Sequence, residues 1–352
     1  MWAENRLRQL EDFLKEAVAA RVVPGAVAQV GMASTIIATV SVGSALVTGG
    51  TPRPMHRDTI FDLASLTKVT ATLPLILRLV EKGRISFDDA VSAYIPEFSG
   101  GAKDRVTIGH LLSHTGGLLP HREYFRSLSG YEAVVQAAGA EPLIAEPGGE
   151  VAYSDLGFML LGELVQRVYG QSLPDLARVE VFDVLGMPQT GFCPNPGLAS
   201  RMAATEVMPG GKAKVGIVHD DNTEAMGGVS GHAGLFSTVD DIGRYLQAWV
   251  DPDNEWLSWP ARAACTLSRT AGLNGNRGWG WVLRGDGHDT LGDLWPASAV
   301  THTGYTGTSV AFDLSSRMWC VLLTNRVHFG RGHDVTAFRR RFHNVVMAGF
   351  GL

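Results

Sequence analysis

The feature that most limits what this chain can fold into is the placement of its strand-like segments. AVAQVGM and TIIATVSVGSALV, near the start, are rich in β-branched residues and separated by a short Ala and Ser segment, the pattern of an antiparallel pair. GWGWVLR, AVTHTGYTGTSVAFDL and RMWCVLLTNR, near the end, alternate or run apolar between turn residues. Between them lie helical patterns broken by Gly and Pro: SFDDAVSAYIPEF, TIGHLLSHTGGL, YEAVVQAAG, SDLGFMLLGELVQRVYG and SLPDLARVEVFDVLGM. No convincing strand pattern interrupts them before about residue 200. Strands at both ends with helices between predict an α/β fold of the α+β type. One antiparallel sheet is drawn from both chain ends and flanked by helices, with an inserted helical lobe beside it. Residues 1–66 and 231–352 are expected to form the sheet lobe and residues 67–230 the helical lobe.

Helices are also expected outside that lobe. Leu7, Leu10, Phe13, Leu14 and Val18 recur at helical spacing, with Pro24 and Gly25 as the stop. LFSTVDDIGRYLQAWV reads as a helix capped near Thr238, and HDVTAFRRRFHNVVMAGF as a closing helix. TGGTPRPMHRD and the stretch Thr205 to Gly234 read as loops.

Composition narrows the function classes. A chain of 352 residues with 45% hydrophobic and 18% charged residues is globular. Its net charge of -5 and pI near 6.1 leave no electrostatic footprint for nucleic acid or an anionic membrane, so small molecules are the expected partners. No run of about 18 apolar residues predicts a membrane span. MWAENRLRQLEDFLKEAV lacks the apolar core of an export signal, which makes the cytoplasm the expected location. Cys193, Cys265 and Cys320 are widely spaced and form no CxxC pattern, so they read as reduced core thiols. Neither a cofactor nor a metal is expected; His110 and His114 stand four apart, but no third ligand accompanies them. Oligomeric state is not encoded in any of these patterns.

The chemistry centres on FDLASLTK, Phe61 to Lys68. Ser65 precedes Lys68 by three residues where an extended segment gives way to a helical one, carrying Val69, Leu73, Ile76, Leu77 and Val80 on one face. Pro74 should kink that helix or mark a turn boundary in it. A hydroxyl and an amine meeting at i and i+3 is one recipe for an activated serine, although the same spacing also arises as a helix cap followed by a surface lysine. In PGGEVAYSDLGFMLLGELV, Tyr153 stands just before a helix and Asp155 two residues on. A nearby ammonium favours the phenolate form of a tyrosine, which could then serve as general base. HTG occurs twice. At His114 to Gly116 it ends a helical pattern, with Gly as an ordinary cap; at His302 to Gly304 it opens a strand, where exposed N–H groups suit a carbonyl. His219, Asp220 and Asn222 lie in a polar loop that could border a cleft, and the glycines from Gly227 to Gly234 are suited to tight lobe packing.

FDLASLTK, TIGHLLSHTGGL, YSDLGFMLLGELV, GGVSGHAGLFSTVDDIGRY and HTGYTGTSVAFDL, in this order, resemble the serine β-lactamase and penicillin-binding-protein superfamily. The closest likeness is to its class C-like branch, with family VIII esterases and D-aminopeptidases. The resemblance covers nearly the whole chain. It implies that the two lobes form one catalytic unit with the site in their seam and no metal. Ser65 would be the acylated nucleophile, Lys68 its proton-accepting or electrostatic partner, and Tyr153 the general base or relay. The backbone N–H groups of Ser65 and Tyr305 would form the oxyanion hole; Asp155, His302, Thr303 and Gly304 would bind substrate.

Two departures bend that expectation. Asp155 replaces an Asn whose amide would donate to substrate; a carboxylate only accepts, though it could pair with Lys68. His302 replaces a Lys, which weakens the fixed positive charge for a substrate carboxylate. The expectation is a carboxylesterase on small esters, with weak lactamase activity at most. The alternatives are a D-stereospecific aminopeptidase or amidase, a DD-peptidase-like enzyme, and a non-catalytic binding protein of the same fold.

Overall fold

The computed structural model describes residues 4–48 and 51–350. Met1 to Ala3, Gly49 and Gly50 (part of the TGGTPRPMHRD stretch), and Gly351 and Leu352 lie outside the described residues. Helix α1 (Glu4–Ala19) leads into strands β1 (Gly25–Met32), β2 (Thr35–Leu46), β3 (Arg53–Pro54) and β4 (Phe61–Asp62). The helical stretch follows, with α2 (Leu73–Glu81), α3 (Ile108–Leu112), α4 (Tyr131–Ala140), α5 (Asp155–Tyr169) and α6 (Leu173–Ala177). Then come β5 (Gly191–Phe192), α7 (Asp221–Ala225), β6 (Leu235–Ser237), α8 (Val239–Val250) and α9 (Trp259–Cys265). Strands β7 (Val282–Leu283), β8 (Val300–Thr303), β9 (Ser309–Asp313) and β10 (Met318–Thr324) precede the closing helix α10 (Thr336–Phe350).

The sheet has the order β3-β2-β1-β10-β9-β8-β7, with antiparallel neighbours throughout, so the first and last strand groups meet at β1 and β10. This is the sheet expected from both chain ends. Those two strands are covered on both faces, which is why they read as apolar runs rather than alternations. Met318, Cys320 and Leu322 pack with Leu10 and Leu14 of α1 and Phe342 of α10. The intervening Trp319, Val321 and Leu323 face the other way, into the core shared with α8 and the helices of the middle region.

Several local expectations change. Helix α1 ends at Ala19, and the reversal is made by Arg21 at φ 56° rather than by Pro24 and Gly25. Strand β5 falls within the stretch that reads as strand-free and joins β4 and β6 in a small second sheet. Two residues are too few to leave a periodic signature. Cys193 is exposed, whereas Cys265 and Cys320 are buried; all three are free. The second HTG closes β8 instead of opening it, since β8 ends at Thr303.

Two features shape the helical region behind Ser65. The helix after Ser65 contains a π turn over Lys68–Thr72, in which the Leu73 N–H donates to the Lys68 carbonyl. Pro74 has no N–H to return to the preceding turn, and the wider turn absorbs that loss. Beside it, a Cβ on Gly231 would lie 2.1 Å from the Phe158 carbonyl and 2.9 Å from the Gly162 Cα, so only glycine lets this loop touch α5. The Thr72 hydroxyl donates to the Gly231 carbonyl at the same place, 2.7 Å away.

Candidate active site

Ser65 sits in the turn between β4 and the helix that continues into α2. The residue before it, Ala64, has φ 47°, a left-handed conformation costly for a residue with a Cβ. The buried Asp62 carboxylate holds that turn: Oδ1 accepts the Ala64 N–H at 2.8 Å and Oδ2 the His219 N–H at 2.6 Å. Burial pushes the Asp62 pKa up to about 6 despite both bonds.

Lys68 is fully buried beneath the serine. Its ammonium donates to Ser65 Oγ at 3.0 Å, to Asp155 Oδ1 at 2.8 Å and to the His232 carbonyl at 3.2 Å. Burial disfavours the charge, but the Asp155 carboxylate and the Tyr153 oxygen outweigh it and hold the Lys68 pKa above the ordinary lysine value. Conversely, the ammonium outweighs burial at Asp155 and keeps that carboxyl well below the usual carboxylate range. With all three ammonium protons engaged, Ser65 Oγ is an acceptor from Lys68, and the serine proton is left for another base.

Tyr153 is next to that pair, its ring centroid 5.0 Å from Lys68 Nζ. The loop bearing it is clamped by the first HTG. The Ala152 N–H donates to the His114 carbonyl at 2.9 Å, the Ser154 N–H to His114 Nδ1 at 3.1 Å, and the two rings lie 4.5 Å apart. Ser154 then caps α5 by accepting the Gly157 N–H, which fixes Tyr153 and Asp155 on either side of the cap. His110 is engaged elsewhere, in the capping box of α3, so the two histidines do not converge on a metal. Among the described residues no cluster of three His, Cys, Asp or Glu could hold one.

The opposite wall is the turn between β8 and β9. A Cβ on Gly304 would fall 2.3 Å from the Leu63 carbonyl and 2.1 Å from Thr308 Oγ1, so glycine is what lets this turn reach the Ser65 turn. Thr306 and Thr308 seal the approach by donating to the Asp62 and Leu63 carbonyls. Arg339 Nη2, from α10, donates to the carbonyls of Gly304 and Thr308, and Arg326 Nε donates to that of Tyr305. Among the described residues, neither the Ser65 nor the Tyr305 N–H donates a backbone hydrogen bond.

Two cavities of about 400 and 380 Å³ flank Ser65 and share Tyr153, Tyr305 and Arg331. His302, Thr303 and Gly304 line the first, Asp155 the second, so the eight site residues named from sequence gather at one place. His219 and Asp220 also border the second cavity. Asn222 does not: its amide holds the 122–125 loop by donating to the Arg122 carbonyl and accepting the Phe125 N–H. Sequence reasoning missed Asp62, His114 and Arg277. The last enters the first cavity from the segment before β7, with Nε and Nη2 on Asp286 and Nη1 buried without a partner. No local motif marks it.

A family model described as Beta-lactamase matches residues 10–344. The chain belongs to the beta-lactamase family. Among curated relatives of this beta-lactamase-family chain, a "Putative D-alanyl-D-alanine carboxypeptidase" from Escherichia coli (strain K12) is 30% identical over 306 residues, covering 77% of this chain and 70% of the relative. An "N-acetylmuramyl-L-alanine amidase" from Bacillus subtilis (strain 168) is 29% identical over 373 residues, covering 93% of this chain and 82% of the relative. The solved structure "EstCE1, a hydrolase with promiscuous acyltransferase activity" superposes with TM-score 0.78 at 22% identity, covering 97% of this chain and 99% of that one, a likeness of fold. Family and relatives together make the protein an enzyme of the serine hydrolase type. No helix among the described residues is long and apolar enough to cross a membrane.

Proposed function

We propose that this hydrolase forms an acyl-enzyme on Ser65 from a small amide or ester whose leaving group carries a carboxylate, D-alanyl peptides among them. Tyr153 takes the Ser65 proton as Oγ bonds to the substrate carbonyl carbon, and the same proton goes to the departing amine or alcohol. Lys68 remains an ammonium that orients Oγ. The Ser65 and Tyr305 N–H groups receive the carbonyl oxygen, and Thr303 and Gly304 guide the substrate backbone. Water then releases the acyl group. The observation that carries this reading is the buried Lys68 ammonium donating to Ser65 Oγ beside an ion-paired Asp155 and next to Tyr153. An alkyl fluorophosphonate should add to Ser65 in the wild type and leave Ser65→Ala unmodified by intact mass. Labelling that survives the substitution overturns it.

The carboxylate preference is supported by Arg277, whose guanidinium lines the cavity that holds His302. It brings a guanidinium, paired with Asp286, to the wall where position 302 lacks a lysine. Neutral small esters are the second reading, supported by the fold likeness to EstCE1. In Arg277→Lys, KM for a D-alanyl-D-alanine peptide should rise about tenfold while that for p-nitrophenyl butyrate changes less than about twofold. Equal changes would favour the neutral esters.

A further inference from the structure

One side chain contacts the Lys68–Asp155 pair from the solvent side. Asp155 uses Oδ1 for Lys68, at 2.8 Å, and turns Oδ2 towards His121 Nδ1, 3.5 Å away. The polar chain therefore runs Ser65, Lys68, Asp155, His121, from a fully buried lysine to an imidazole that is 45% exposed. The contact is built into the fold. The loop that carries His121 is tied to the start of α5 by the Ser154 hydroxyl donating to the Leu119 carbonyl at 2.7 Å and by the Asp155 N–H donating to the Pro120 carbonyl at 2.9 Å. An asparagine at position 155 could not accept on both sides in this way, so the departure from the lactamase pattern and the histidine form one device.

We infer that His121 is a positioning residue that acts through Asp155 on Lys68 and makes acylation of Ser65 depend on its protonation. This rests on the reading of Ser65 as nucleophile. With His121 neutral, the carboxylate serves Lys68 alone. With His121 protonated, the imidazolium shares the carboxylate and adds a positive charge beside the Lys68 and Tyr153 pair. With the carboxylate shared, Lys68 is held less firmly beneath Ser65 Oγ, the serine is less well positioned, and acylation slows.

The other groups facing His121 are engaged elsewhere. Glu123, on its own loop, is paired with Arg126; Asp220, at the cap of α7, with His232; and Asp221 with Arg331. His219, which lines the same cavity, is pushed down to about 4 by burial and stays neutral near pH 7. The Asp155 carboxylate outweighs partial burial and raises the His121 pKa above its ordinary value.

The test is the pH dependence of the fluorophosphonate labelling rate on the full chain, with Ser65 occupancy read by mass. Wild type should lose rate on the order of tenfold as pH falls through the His121 transition, the effect of one added charge at this separation. His121→Gln should stay near the fast, high-pH limit throughout, and His121→Lys near the slow, low-pH limit. The imidazole titration seen by NMR and missing from His121→Gln should move to lower pH in Asp155→Asn. A His121→Gln profile superposable on wild type would overturn the inference while leaving the nucleophile in place. Absence of labelling at Ser65 in the wild type would instead remove the reading beneath it.

Discussion

The chain uses the tripeptide His-Thr-Gly twice around one tyrosine, and the two copies do opposite things. His114 follows α3 with φ 58°, and its Nδ1 accepts the Ser154 N–H, so the neutral ring carries its proton on Nε2. His302 lies in β8 and its Nδ1 faces the Thr303 carbonyl at 3.1 Å, so the proton is on Nδ1 and Nε2 is a bare acceptor. Both rings flank Tyr153, with centroids 4.5 and 6.3 Å away, and burial pushes both pKa values well below the ordinary histidine value. Neither Nε2 has a partner among the described residues. The first copy holds the tyrosine loop in place; the second lines the cavity beside Ser65. Identical residues thus acquire opposite hydrogen-bonding roles from the backbone groups around them.

The glycines break the comparison most sharply. At Gly304 an added Cβ meets the Leu63 carbonyl at 2.3 Å, which is backbone and cannot move without displacing the Ser65 turn. At Gly116 it meets the end of the Leu111 side chain at 2.8 Å, which can rotate away. Gly304→Ala should lower the Ser65 labelling rate about a hundredfold, since a shift of about 1 Å in reacting groups costs that much. Gly116→Ala should stay within about threefold of wild type, as a small rotamer adjustment allows. Similar rates for the two variants would show that the wall opposite Ser65 does not need its close approach.

That contrast marks where the sequence was readable. The sheet from both ends was legible because β1 and β10 are long and covered on both faces, and α8 because Thr238 caps it by accepting the Asp241 N–H. Ser65, Lys68 and Tyr153 were legible from short motifs in a fixed order. Asp62, His114 and Arg277 were not, since their partners are 157, 40 and 9 residues away and depend on how loops meet. From sequence the first HTG reads as a helix cap, because its glycine is the obvious punctuation. In the fold the left-handed residue is the histidine, and its ring nitrogen, invisible to any spacing rule, carries the contact.

The histidines themselves give the smaller and subtler break. Replacing His114 by Ala strips ring contacts from Tyr153 and Phe158 and orphans the buried Ser154 N–H, a loss of about 3 kcal/mol of stability at pH 7. His302→Ala removes a ring that borders a cavity and bonds only its neighbour's carbonyl, a loss of about 1 kcal/mol. Acid should narrow both differences. A histidine whose folded pKa is depressed contributes stability that is present above its unfolded value, near 6.5, and is lost as pH falls below it, because only the unfolded chain takes up the proton. At pH 5 that amounts to about 2 kcal/mol for each such histidine in the wild type. Each alanine variant escapes one share, and the other buried histidines cancel in the difference. Urea unfolding at the two pH values should therefore show His114→Ala still destabilised at pH 5, by about 1 kcal/mol. His302→Ala should cross from destabilised at pH 7 to stabilised at pH 5. Differences that stay constant between the two pH values would mean that these rings are not held neutral, and the opposite tautomers assigned to them would fall with that result.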